Sequence, residues 1–79
     1  MKVSIKLEYQ DKVYTSDYKN VTESEFFEMG DFIENIVKGK INWLSFQKDN
    51  QTIYFGKNIL EESIITLSIM SLKDIADAL

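Results

Sequence analysis

The sequence predicts an α+β fold, a two-layer domain in which an antiparallel sheet of about five strands carries one long helix on one face. Three observations predict it. Apolar and polar residues alternate over 2–9, apolar residues recur at helical spacing over 23–38, and alternation returns over 41–55 and 64–69. The element order is β-β-α-β-β-β. Residues 1–70 make a single domain, and 71–79 form a short C-terminal amphipathic helix attached to it.

In the first strand Val3, Ile5, Leu7 and Tyr9 share one face, and Lys2, Ser4, Lys6 and Glu8 the other. Gln10-Asp11-Lys12 turns the chain. Tyr14, Ser16 and Tyr18 then continue the Val3/Ile5 face whether Tyr9 lies opposite Lys12 or Tyr14, because both registers have the same parity. Thr22-Glu23-Ser24-Glu25 is a capping box with Val21 and Phe26 in the staple positions. It opens a helix over 23–38, with Glu23 and Glu25 at the positive end, Lys38 at the negative end and Gly39 as a left-handed terminator. Phe26, Met29, Ile33, Ile36 and Val37 form its apolar stripe, with Phe27 on the polar side and Phe32 on a flank. Gly30 lies within the stripe, where a close approach to the sheet is expected.

Residues 41–55, INWLSFQKDNQTIYF, read as a hairpin. With Asp49-Asn50 as the central turn residues, Leu44 pairs with Phe55 and Phe46 with Ile53, and these four face the helix. The opposite face carries Ile41, Trp43 and Tyr54, with Trp43 across from Gly56. A connector, 57–63, leads to a last strand with Ile65, Leu67 and Ile69 inward and Ile64, Thr66, Ser68 and Met70 outward. Leu72, Ile75, Ala76 and Leu79 then follow at i, i+3, i+4 and i+7. A helix this short is not stable alone, so it must dock on its own sheet or on another chain, or fray.

The chemistry the chain can perform is narrow. It has no cysteine and no histidine, so thiolate and imidazole metal sites and the familiar nucleophile–base pairs cannot be built. Its three glycines, at 30, 39 and 56, make no phosphate-binding loop. Glu61-Glu62 is the one adjacent carboxylate pair, and it reads as solvated charge. No catalytic residue, metal or cofactor is therefore expected, nor a small-molecule substrate. All nine basic residues are lysine and the net charge is −4, which argues against nucleic-acid binding. No apolar run is long enough to span a membrane, and Met1-Lys2-Val3-Ser4 leads directly into a strand, so a cytoplasmic protein is expected.

Two surfaces stand out. A two-layer domain leaves the second sheet face uncovered, and here that face bears Ile41, Trp43, Tyr54, Ile64 and Met70, with Leu72, Ile75 and Leu79 nearby in sequence. Trp and Tyr among aliphatic neighbours are the composition of an interaction hot spot. The second surface is the helix. Glu23, Glu25, Glu28, Asp31 and Glu34 against Lys38 carry the whole net charge, and Glu28, Asp31 and Glu34 around Phe27 could dock a basic partner.

The stretches MKVSIKLEYQDKVY, NVTESEF, INWLSF, IYFGKNIL and SIITLSI, spanning residues 1 to about 69, resemble small uncharacterised proteins of low-G+C Gram-positive bacteria, their prophages and mobile elements. The resemblance implies a cytoplasmic accessory protein and no particular activity. The resulting expectation is a noncatalytic interaction module that binds a protein partner or itself, as a homodimer. An acidic inhibitor that imitates nucleic acid through the 23–38 helix is the alternative, and a small enzyme is the third reading.

Overall fold

The structure, a computed structural model, describes residues 1–70. The proposed terminal helix 71–79, with Leu72, Ile75 and Leu79, lies outside the described residues. The chain runs β1 (Lys2–Tyr9), β2 (Lys12–Thr15), β3 (Lys19–Asn20), α1 (Glu23–Val37), β4 (Leu44–Lys48), β5 (Gln51–Phe55), α2 (Lys57–Leu60) and β6 (Ile64–Ile69). It is α+β with antiparallel sheets and one long helix.

The strands do not form the expected single sheet of about five. β1 is central to a four-stranded sheet, with β2 and β3 along one side and β6 along the other, while β4 and β5 form a separate two-stranded sheet. Along the β2–β3 side of β1 the ladder is interrupted by a bulge. Tyr9 pairs with Lys12 and Leu7 with Tyr14, and Ser16 lies opposite Ile5, but Val3 pairs with Lys19, so the second ribbon holds one residue more than β1 over the same span. Ser16 makes the break: its N–H donates to Ile5 O at 2.8 Å, and its Oγ accepts from Ile5 N–H at 2.8 Å in place of a backbone carbonyl. Beyond the bulge the parity flips, so Tyr18 is exposed rather than continuing the Val3/Ile5 face.

The freed backbone at Asp17 recruits the hairpin. Asp17 N–H donates to Gln47 O at 2.9 Å, its Oδ2 accepts from Asp49 N–H at 3.1 Å, and its Oδ1 lies 3.7 Å from Lys48 Nζ. One residue thus joins the two sheets. Both hairpins close through two-residue turns with positive φ at each central position, Gln10 and Asp11 in the first and Asp49 and Asn50 in the second. The second turn sets the expected register, Leu44 opposite Phe55 and Phe46 opposite Ile53.

The core forms where the hairpin, α1 and α2 cover the inner face of the larger sheet. Leu7, Ile36, Leu44, Phe46, Phe55 and Leu60 are buried together, and Tyr14 packs edge-on against Phe55 with ring centroids 5.4 Å apart. Helix α1 starts on the expected capping box: Glu25 N–H donates to Thr22 Oγ1 and Thr22 N–H donates to Glu25 Oε1. Lys38 caps its end and Gly39 turns left-handed at φ +78°. The helix is rolled relative to the expected stripe. Phe32, placed on a flank, packs on the core, while Val37 is 74% exposed. Gly30 makes no close approach, since a Cβ built there would have nothing within 4 Å. The 57–63 connector contains the single turn α2, which carries Leu60 into the core.

Candidate functional site

Two adjoining cavities, of about 370 and 480 Å³, share Ile5, Lys19, Met29 and Ser45 and form one open groove between α1 and β4. The α1 wall supplies Glu25, Glu28, Met29, Phe32 and Ile33, and the β4 wall supplies Leu44 to Gln47, with Trp43 at one end. The helix spacing explains the first wall. Residues 25, 28, 29 and 32 lie at i, i+3, i+4 and i+7, a single helical face.

The β4 wall follows from the turn. Lys48 and Gln51 flank a two-residue turn and therefore form a hydrogen-bonded pair, as do Phe46 with Ile53 and Leu44 with Phe55. Ser45 and Gln47 consequently direct their backbone groups away from β5. Asp17 occupies the Gln47 carbonyl. Among the described residues, the Ser45 N–H and C=O and the Gln47 N–H have no backbone partner, so this strand edge is open to the groove.

Trp43 is 55% exposed, and its ring stands edge-on to Phe32 with centroids 5.2 Å apart. The indole is thus held in place on one side and left open to solvent on the other. At the rim, Thr22 holds the Glu25 carboxyl below its ordinary range, first through its backbone N–H and then through its side chain, and Lys19 adds to the effect. Glu28 has no ion-pair partner among the described residues. The groove thus combines an apolar floor, an open strand edge, an anchored aromatic ring and a carboxylate rim.

The other sequence-derived candidates do not gather into one patch. Ile41 leaves the proposed face and packs on the core, because Lys40 and Ile41 both donate to Asn35 O and fold the chain back over the helix end before β4 begins. Tyr54 is exposed on the outer side of the hairpin, opposite Ser45. Ile64 lies on the outer face of the larger sheet, with Glu8 between it and Val13. Met70 continues that strand through its N–H to Lys2 O. In the acidic set, Phe27, Asp31 and Glu34 are exposed on α1 away from the groove and Glu28 lies at the groove rim. Glu34 pairs with Lys38 at 2.9 Å, and that hydrogen bond and charge lower its pKa. Asp17 and Ser45 are the residues that inspection of the sequence missed. Asp17 follows the alternating run Lys12–Ser16 in sequence, and the bulge that exposes its backbone has no local signature.

Among the described residues, no group of three or more carboxylates is placed to hold a metal ion, and no helix is long and apolar enough to cross a membrane. Comparisons of the chain with protein-family models, with curated proteins and with solved structures return no match.

Proposed function

We propose that this chain is a noncatalytic protein-interaction module whose docking surface is the groove between α1 and β4. Its partner offers an extended segment that adds to the Ser45 edge, sets an apolar side chain against Trp43 and Phe32, and brings a basic residue to Glu28. The observation that carries this reading is Trp43, half exposed yet fixed against Phe32 beside an open strand edge. A large, rigid aromatic side chain loses little conformational freedom on binding, so its exposure favours a docking role.

The test is selection of binders from a random peptide library displayed on phage, followed by calorimetric titration of the selected peptides into the parent protein and its variants. The reading expects a consensus with one aromatic or aliphatic anchor and at least one lysine or arginine. Binding should weaken about tenfold or more in Trp43→Ala and in Glu28→Lys, with thermal melts close to those of the parent protein. Selection without a consensus, or peptides that bind both variants as tightly as the parent, would remove the groove from consideration.

A further inference from the structure

We infer that the free edge of β6 pairs with the same edge of a second copy of this chain, giving a two-fold dimer in which the two larger sheets become one. The inference stands apart from the groove, which lies on the other side of β1.

The orientation of the β6 backbone follows from its partner. Met70 N–H donates to Lys2 O, which makes Lys2 and Met70 a bonded pair. By alternation the pairs Ser4–Ser68, Lys6–Thr66 and Glu8–Ile64 are bonded as well. Ile65, Leu67 and Ile69 therefore point their N–H and C=O groups outward, and β6 pairs with no other strand among the described residues.

Edge strands in monomeric proteins are normally guarded by a charge, a proline or a bulge. This one is not. From Ser63 to Leu72 the sequence holds no charged residue, no proline and no glycine. Apolar side chains are open on both of its faces, Ile64 at 64% and Ile69 at 51% exposure.

The sequence also selects the occupant. A two-fold axis normal to the sheet leaves each face on its own side, so opposed residues must have the same parity. Centred on Leu67, it sets Leu67 against its own copy, Ile65 against Ile69 and, on the outer face, Ile64 against Met70 and Thr66 against Ser68. Every apolar residue meets an apolar one, and the two hydroxyl side chains meet each other. The same operation applied to β5 about Ile53 would set Gln51 against Phe55. The outward backbone groups of Leu67 and of Ile65 and Ile69 then find partners across the axis, which makes the edge self-complementary.

Sedimentation equilibrium and cysteine cross-linking test this together. The parent protein should show a concentration-dependent dimer. Ile64→Lys and Ile69→Lys, both at exposed positions, should raise its dissociation constant about tenfold or more while keeping the parent circular dichroism. The native chain has no cysteine, so any disulfide in a single-cysteine variant joins two chains. Leu67→Cys places two Cα atoms about 5.5 Å apart, within disulfide reach, and should cross-link readily under mild oxidation. Thr66→Cys lies opposite Ser68 and should not. A monomer at all concentrations would overturn the inference, as would a dimer indifferent to both lysine variants. Preferential cross-linking through Thr66→Cys would overturn the register. None of these results bears on peptide binding at the groove, so the two proposals fail separately.

Discussion

Ser16→Ala is the sharpest probe of how the groove is built, because Ser16 ends the β1–β2 ladder and releases Asp17 to hold the hairpin. The buried Ser16 hydroxyl accepts from Ile5 N–H at 2.8 Å and donates to Asp17 O at 3.0 Å. Alanine removes both bonds and leaves the Ile5 N–H without a partner. An unsatisfied buried donor costs about 1–3 kcal/mol. A domain of this length carries about 4–12 kcal/mol in all, so the loss is a visible share. At roughly 4–8 °C per kcal/mol for a domain this small, Tm should fall by about 5–20 °C. Ser16→Thr keeps the hydroxyl and its bond to Ile5 N–H, so Ile5 amide exchange should stay as slow as in the parent. Urea and thermal unfolding followed by far-UV circular dichroism measure the difference, and amide exchange at Ile5 locates it. If Ser16→Ala lies within about 0.3 kcal/mol of the parent, or leaves Ile5 exchange unchanged, the side chain does not close this ladder and the bulge has another cause.

Other consequences can be read with the same assays. Asp11 and Asn50 occupy left-handed positions in the two turns, so Asp11→Gly and Asn50→Gly should each stabilise by about 0.5–1 kcal/mol, seen as a higher urea midpoint. Val37→Lys should change stability by no more than about 0.5 kcal/mol, whereas Ile36→Lys should cost more than about 3 kcal/mol; equal costs would contradict the roll of α1. Thr22→Ala should cost about 1 kcal/mol through loss of the cap. Glu25 and Glu34 have lower pKa values folded than unfolded. Their contributions are therefore complete at neutral pH and are lost as pH falls through the folded-state values. Glu25→Gln should shallow the decline of Tm with acidification, and an unaltered slope would count against the carboxylate–cap coupling.

What could be read from the sequence was local. The capping box, the Asp49-Asn50 turn and its register depend on residues a few positions apart, and all appear as expected. Features set by tertiary contacts could not be read. Asp17-Tyr18 continues a regular alternation in sequence, yet the Ser16 hydroxyl replaces a ladder carbonyl and flips the parity. Extending β4 backward places Ile41 beside Trp43, whereas Lys40 and Ile41 both donate to Asn35 O and fold back over the helix end. Gly30 and Val37 fit the helical period, but α1 turns Phe32 toward the core and leaves Val37 exposed. Trp43 and Glu28 came from two different candidate surfaces and meet in one groove. The outward direction of the Ser45 backbone groups follows from the Asp49-Asn50 turn register, but that they open on a groove depends on where α1 lies.

Trp43 is the chain's one tryptophan, so acrylamide quenching of its emission, with and without a selected peptide, tests the docking role most directly. The account predicts a red-shifted, readily quenched indole in the free protein that becomes blue-shifted and shielded when the peptide binds. A Trp43 already shielded in the free protein, or one whose quenching does not change at saturating peptide, would contradict it.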